Sequence, residues 1–115
     1  MAKVIELIPK QSIRVSTTLY SSVYEVTDYA CMCFELRAFV YSGSATITGT
    51  IEHTADPDLD PNSWVSYTSG TVSAATGNCF GNGSTPPLRF MRGKVVTAST
   101  NSGVLHFQCI ARESS

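Results

Sequence analysis

Apolar and polar residues alternate in several segments of this chain, and this period of two constrains the fold more than any other feature. In residues 32–41, for example, the apolar Phe34 and Leu36 alternate with the charged Glu35 and Arg37. The same period recurs in three further segments, residues 45–52, 91–95 and 105–112. Side chains of a β-strand point alternately to its two faces, so each segment predicts a strand with one face in the core. Sustained helical periodicity is absent from the sequence.

Short segments rich in turn-forming residues separate these strands. Ser42-Gly43-Ser44 and Asn101-Ser102-Gly103 fit tight hairpins, and residues 76–87, rich in Gly and Asn, predict one long loop. Weaker strand patterns lie near residues 4–8, 12–17, 23–26 and 65–72. About eight strands with regular turns predict an all-β fold, a single antiparallel β-sandwich or jelly roll over residues 1–115. Residues 1–16 are expected to form an N-terminal arm or an edge strand of this domain.

The size and charge of the chain limit the classes of function. With 115 residues it can build one domain around one core. Eight Lys and Arg against nine Asp and Glu give a net charge of −1, which disfavours nucleic-acid binding through phosphate contacts. Charged residues make up 15% of the chain, against a usual ~25%. A surface of low charge resists self-association weakly, as in a protein that works within an assembly, although an uncharged soluble domain fits equally.

The N-terminal segment lacks the features of a secretion signal. Glu6 interrupts its apolar run and Pro9 ends it. No segment approaches the roughly 18 apolar residues that a membrane helix requires. We therefore expect a protein that is made and kept in a cytoplasm and has no membrane partner.

The four cysteines raise the question of a disulfide or a metal site. Cys31 and Cys33 are two residues apart in a predicted strand, which places their Cα atoms roughly 6.5–7 Å apart, at the limit for a disulfide. This pair and the isolated Cys79 and Cys109 lack the paired spacing of a zinc site. We expect free thiols that act as small buried hydrophobes, with a Cys79–Cys109 bridge as the alternative.

An acidic turn has the oxygen spacing with which a calcium loop begins. The candidate ligands are Asp56, Asp58, Asp60 and Asn62. Such a loop needs Gly at its sixth position and a bidentate Glu at its twelfth, where this chain has Pro61 and Tyr67. We therefore interpret the segment as a β-turn closed by Asx-type side-chain bonds, with calcium binding as the alternative and no cofactor expected.

Trp64 follows this turn directly, and Tyr67 lies close to it in the sequence. An exposed indole beside Tyr67 would offer flat apolar surfaces on which a sugar can stack. A lone tryptophan in a small sandwich can instead fill one end of the core. The two interpretations differ in whether the indole is exposed.

Arg89, Arg92 and Lys94 form the one basic cluster, and the last two share a strand face. They fit a solvated surface, pairing with acids such as Glu35 or Glu52, or a subunit interface, where arginine is enriched. The sequence contains no nucleophile elbow, phosphate loop or H-E-x-x-H motif, and its two histidines are far apart. We expect a protein that is not an enzyme.

Several of these segments together resemble small virion structural proteins of tailed bacteriophages. The resemblance is one of pattern over roughly residues 16–112 and is carried by residues 16–22, 34–38, 42–43, 51–56, 88–92 and Trp64. It implies a β-sandwich of the virion, assembled in the host cytoplasm, most directly a capsid decoration (cement) protein that stabilises the head by repeated lattice contacts. A tail or head–tail adaptor component is a further alternative.

The decoration interpretation implies contacts with the major capsid protein and with other copies of the chain. Aromatic side chains supply contact area at low entropic cost. We expect the contact residues to be Tyr20, Tyr24, Tyr29, Phe39, Tyr41, Arg92 and Lys94. Several of these tyrosines fit the rim of the core equally well.

The tryptophan and the Arg-aromatic-x-Arg segment also resemble discoidin-like carbohydrate-binding sandwiches. The chain departs from those proteins because it is shorter and lacks their terminal cysteine pair. In this alternative a glycan is the partner, and Trp64 and Tyr67 form its face.

Overall fold

The structure is a computed structural model, and it describes residues 2–13, 17–27, 29–40, 45–56, 58, 64–74, 76–83, 85–98 and 103–113. These residues form nine strands and no helix, so none of them builds a helical membrane span. The strands are β1 (Ala2–Ile13), β2 (Thr18–Tyr20), β3 (Tyr24–Glu25), β4 (Cys31–Val40), β5 (Ala45–Thr54), β6 (Val65–Ala74), β7 (Thr76–Asn82), β8 (Phe90–Ala98) and β9 (Gly103–Arg112).

The strands form two antiparallel sheets that pack face to face. The four-stranded sheet has the order β1-β9-β4-β7, and the five-stranded sheet has the order β2-β8-β5-β6, with the short β3 also paired with β8. The predicted all-β antiparallel sandwich is therefore confirmed.

The alternating segments bury their apolar faces between the two sheets. Phe34 and Phe107 lie at the centre of the four-stranded sheet, with their rings edge to face and their centroids 5.1 Å apart. Ile47, Met91 and Val95 of the five-stranded sheet belong to the same core cluster and are fully buried. Burying a side chain of this size stabilises the fold by roughly 1.5–3 kcal/mol. The inward and outward faces that the alternation predicted for β4, β5, β8 and β9 are those that the structure has.

The two turns predicted as hairpins connect strands that belong to different sheets. β4 lies in the four-stranded sheet and β5 in the five-stranded sheet, and β8 and β9 are separated in the same way. The hairpin predictions are therefore wrong. A period of two tells which side of a strand faces the core, but it does not tell to which of two sheets the strand belongs.

Residues 76–82, predicted as part of a long loop, form the edge strand β7. A Cβ atom on Gly81 would lie 2.0 Å from Phe34 Cε2, so the buried Phe34 ring packs directly on the Gly81 backbone. Glycine in a strand often marks such a close approach. Gly81 is therefore needed for packing. From composition alone, a glycine needed for packing cannot be distinguished from a glycine in a loop.

The N-terminal segment is an edge strand of its own domain. β1 pairs with β9 from Ala2 to Ile13, with irregularities between Glu6 and Ile8 and between Ile8 and Gln11. Such register shifts twist an exposed edge and make it a poorer template for further strand pairing. Within the predicted segment 1–16, β1 thus lies at the edge of the four-stranded sheet, and residues 1 and 14–16 lie outside the described residues.

All four cysteines are free thiols. Cys109 is buried between the sheets, and burial raises the pKa of its thiol to about 12. Cys31, Cys33 and Cys79 are partly exposed.

Candidate functional site

The outer side of the five-stranded sheet is the first candidate surface, which we call the five-stranded face. Tyr20 reaches it from β2, Arg92 and Lys94 from β8, Glu52 from β5, and Trp64 from the residue before β6. The register places Tyr20 beside Lys94 and Arg92 beside Glu52. Sheet pairing thus gathers five residues that are far apart in the sequence.

Arg92 is the centre of this cluster. Its Nε donates a hydrogen bond to Glu52 Oε1 at 2.9 Å, and the two side chains are 24% and 13% exposed. Its Cζ lies 4.4 Å from the ring centroid of Tyr20 and 4.5 Å from that of Trp64, distances at which cation–π attraction acts. The carboxylate therefore fixes the guanidinium, and the guanidinium in turn holds both rings.

Trp64 is neither a core plug nor a freely exposed platform. Because β5 lies between β6 and β8, the indole extends from the start of β6 across β5 to reach Arg92. It is partly exposed. Trp64 therefore lies on the outer surface of the sheet, and its exposure is intermediate between the buried and the exposed positions that were predicted.

Rows of hydroxyl side chains continue the five-stranded face away from the aromatic cluster. Across β5 and β6, Thr48 stands opposite Thr71 and Thr50 opposite Ser69. The Oγ1 atoms of Thr48 and Thr71 are 3.1 Å apart and hydrogen-bonded. We call these four residues the hydroxyl rows, and they carry no charge.

Tyr67, predicted to join Trp64 in a sugar-binding face, lies instead at one end of the core. Its hydroxyl accepts a hydrogen bond from the backbone N–H of Met32 at 3.0 Å and donates one to the carbonyl of Thr85. The ring packs against the buried cluster. Tyr67 therefore ties the four-stranded sheet to the segment before β8 and is a structural residue.

His53 fixes the same end of the sandwich. Its ring lies edge to face with Tyr67, with the centroids 5.1 Å apart, and its Nδ1 accepts a hydrogen bond from the backbone N–H of Leu88 at 3.0 Å. Burial lowers the pKa of His53. Only a ring without a proton on Nδ1 can accept this bond, so the geometry and the pKa shift both favour the neutral form.

The outer side of the four-stranded sheet, the four-stranded face, is the second candidate surface. It exposes three apolar side chains strongly: Phe80 on β7 is 67% exposed, Val4 on β1 is 61% exposed and Phe39 on β4 is 43% exposed. These three side chains lie on three different strands and are separated by polar groups. Aromatic side chains such as the two phenylalanines are enriched in protein interfaces.

Polar pairs occupy the middle of the four-stranded face. Arg37 Nε lies 3.0 Å from Glu35 Oε1, and His106 Nε2 lies 3.1 Å from Glu6 Oε2. Gln108 donates a further bond to Glu35 at 3.1 Å. An open depression of about 680 Å³ lies beside Glu6, Arg37 and His106 and is also lined by Phe39, Val104 and Lys10. The face thus joins apolar contact area to charges of both signs.

Six of the seven predicted contact residues divide among three environments. Tyr20, Arg92 and Lys94 lie on the five-stranded face, and Phe39 lies on the four-stranded face. Tyr24 and Tyr29 are partly buried against the core, which fits the alternative that some tyrosines form its rim. Tyr41 lies outside the described residues.

The acidic turn contains the bond that was predicted for it. Asp56 Oδ1 accepts a hydrogen bond from the backbone N–H of Asp58 at 3.0 Å, which is an Asx-type bond. Asp60 and Asn62, the other calcium candidates, lie outside the described residues. Within the part of the chain that is described, no three His, Cys, Asp or Glu side chains form a group that could hold a metal ion.

Phe80 and Val4 were not among the predicted contact residues. Phe80 was missed because its segment was interpreted as a loop. Once residues 76–82 are taken as a strand, the alternation of Asn78, Phe80 and Asn82 with Gly77, Cys79 and Gly81 places Phe80 on the outer face.

Comparison with known proteins identifies the fold. No family model matches the chain, and no curated protein matches its sequence. The PBSX exported protein XepA superposes with a TM-score of 0.70 and 10% identity over 100% of this chain and 38% of that one. A protein of the infectious bursal disease virus Gx strain superposes with a TM-score of 0.58 and 8% identity, over 100% of this chain and 33% of that one.

A carbohydrate-binding structure has the same fold. TmCBM61, solved in complex with β-1,4-galactotriose, superposes with a TM-score of 0.58 and 12% identity over 97% of this chain and 70% of that one. The chain spans only about a third of the length of the two proteins named before it. At such low identity these likenesses establish the β-sandwich fold, which is found both in viral particles and in carbohydrate-binding proteins.

Proposed function

We propose that the protein is a non-enzymatic structural component of a phage virion and that it decorates the capsid. The observation that carries this proposal is the set of strongly exposed apolar side chains on the four-stranded face, Phe80, Val4 and Phe39. In the proposal these side chains contact the major capsid protein or further copies of the chain. The virion would be assembled in the host cytoplasm.

The composition of the four-stranded face suits such a contact. Phe80 and Phe39 supply stiff apolar area, and their burial against a partner is favourable by roughly 25 cal/mol per Å². The neighbouring Arg37, Glu35 and Glu6 side chains offer charges of both signs, which favour one orientation of a partner over others. A single contact of this kind is weak, but its repetition over a lattice strengthens attachment through multivalency.

The comparisons support the proposal at the level of the fold. The same sandwich is present in the infectious bursal disease viral particle, with a TM-score of 0.56 for one of its structures. It is also present in the PBSX exported protein XepA. A tail or head–tail adaptor role would use the same kind of surface at another place in the virion. Binding to capsid shells that lack tails distinguishes capsid decoration from this role.

Substitution on the two faces tests the proposal. Phe80→Ser removes the aromatic group that is most exposed among the described residues, and Val96→Thr is the matched control on the five-stranded face. We expect Phe80→Ser to weaken co-sedimentation with expanded capsids about tenfold, as for a central contact residue, and Val96→Thr to leave it unchanged. Equal binding by Phe80→Ser, Phe39→Ser and the unsubstituted protein would overturn the assignment of this face.

Carbohydrate binding is a second candidate function. It is favoured by the two aromatic rings on the five-stranded face, Tyr20 and Trp64, and by the fold likeness to TmCBM61. It uses the opposite side of the sandwich from the capsid contact, so the two functions do not compete for surface.

A further inference from the structure

We infer that the five-stranded face binds a neutral, extended oligosaccharide, with Tyr20 and Trp64 as stacking surfaces and the hydroxyl rows as hydrogen-bonding partners. The inference rests on the second candidate function and is independent of capsid binding. It moves the glycan site away from Tyr67, whose hydroxyl is occupied by Met32 and Thr85.

The aromatic part of the site is held in place before any ligand arrives. Tyr20 is 52% exposed and Trp64 is partly exposed, and both rings rest on the guanidinium of Arg92. Glu52 fixes that guanidinium through a bond of 2.9 Å. Rings that are already ordered lose little conformational entropy when a sugar ring stacks on them, so more of the contact energy appears as affinity.

The hydroxyl rows extend the site along the sheet. From Glu52 to Thr46, β5 runs for about 20 Å at the usual rise of a strand, with outward hydroxyls at every second residue. Thr48, Thr50, Ser69 and Thr71 each provide a group that both donates and accepts hydrogen bonds. An oligosaccharide presents the matching pattern, with apolar C–H faces for the rings and hydroxyls along its length.

Charge on this face favours a neutral ligand. Glu52 balances the charge of Arg92, and the hydroxyl rows have none. Lys94, whose Nζ is 5.9 Å from the ring centroid of Tyr20, adds a single positive charge at one side of the cluster. Threonine and serine are under-represented among the hot spots of protein interfaces, so a sheet face dominated by their hydroxyls fits a sugar better than a protein partner.

Affinity electrophoresis tests the inference with soluble β-1,4-galactan and xylan as neutral probes and polygalacturonate as an acidic one. We expect retardation by at least one neutral probe. Tyr20→Ala and Trp64→Ala should each weaken it about tenfold, and Thr71→Val should weaken it less. Phe80→Ser on the opposite face is the control and should bind as the unsubstituted protein does.

Three outcomes would overturn the inference. The first is no retardation by any neutral probe, and the second is retardation that Tyr20→Ala and Thr71→Val both leave unchanged. Tyr20 and Thr71 are exposed, so we expect these two substitutions to preserve the fold even if Trp64→Ala does not. Thermal unfolding of each variant checks this. The third outcome is binding to polygalacturonate alone, with that binding abolished by added salt and by the Lys94→Gln substitution. This result would show that the ligand is an acidic polymer. Capsid binding is tested separately by co-sedimentation of the Phe80→Ser variant, so the failure of one proposal does not imply the failure of the other.

Discussion

Arg92 and Glu52 form an ion pair that lies under two aromatic rings, with Nε 2.9 Å from Oε1 and the guanidinium in contact with both Tyr20 and Trp64. The two rings cover part of the guanidinium, and the side chains of Arg92 and Glu52 are 24% and 13% exposed. The pair thereby orders the aromatic cluster, and the cluster shields the pair.

Glu52→Gln should destabilise the protein by about 1–2 kcal/mol, because it leaves the partly buried charge of Arg92 without its carboxylate partner. This cost lies between those of breaking an exposed and a buried ion pair. Urea unfolding measures the change. Arg37→Gln is the control, since Arg37 is 66% exposed and pairs with Glu35 at the surface, and it should cost at most about 1 kcal/mol. Equal losses in the two variants would show that the rings do not shield the pair.

Gly81→Ala should destabilise the protein by about 3 kcal/mol or more. The added Cβ would meet three atoms of the Phe34 ring at 2.0–2.6 Å, and that ring is fully buried and cannot move away. Gly77→Ala, where the nearest contact is Val72 Cγ1 at 3.3 Å, is the control and should cost much less. Partial recovery in Gly81→Ala combined with Phe34→Leu would confirm the cause, whereas a harmless Gly81→Ala would contradict this packing.

Local patterning predicts this fold well where one strand face is buried. The alternation in β4 and β9 indicated which residues face the core, because that alternation reflects burial directly. It did not reveal that β4 and β5 belong to different sheets, since a turn between layers and a hairpin use the same short polar residues. β7 was missed because Gly81 is required by the neighbouring Phe34 ring, a contact between distant segments.

Tyr67→Phe should destabilise the protein by about 1–3 kcal/mol. It removes the acceptor of the Met32 N–H and the donor to the Thr85 carbonyl. The partly buried Met32 N–H is left unsatisfied, whereas the Thr85 carbonyl is exposed and can bind water instead. Amide hydrogen exchange should show faster exchange at Met32. Tyr20→Phe, which changes an exposed hydroxyl, should alter neither stability nor exchange at that amide. Unchanged exchange at Met32 in Tyr67→Phe would contradict the bond.

The stability of the protein should fall as the pH decreases from about 6.5, in part because of His53. Burial lowers the pKa of His53 in the folded state, so the unfolded chain binds a proton more readily. The stabilisation is fully present above the unfolded pKa and is lost as the pH falls through the lower folded pKa. His53→Gln should remove this part of the pH dependence in urea titrations between pH 7 and pH 5. A pH profile that is the same in both proteins would contradict this role of His53.

The candidate site was less accessible to sequence reasoning than the fold. The sequence identified Arg92, Trp64 and Tyr20 separately, and it named Glu52 as a possible partner of the arginine. Their convergence depends on the strand order β2-β8-β5-β6, which the pairing of distant segments determines. Tyr67 was grouped with Trp64 because the two are three residues apart, yet they lie in different environments at the start of β6.

The most direct test of the proposed function is co-sedimentation of the purified protein with procapsids and expanded capsids built from the major capsid protein of the phage that the proposal implies. We expect stoichiometric binding to the expanded shells, which present a completed lattice, and little binding to procapsids. Absence of binding to either shell would contradict the capsid-decoration proposal.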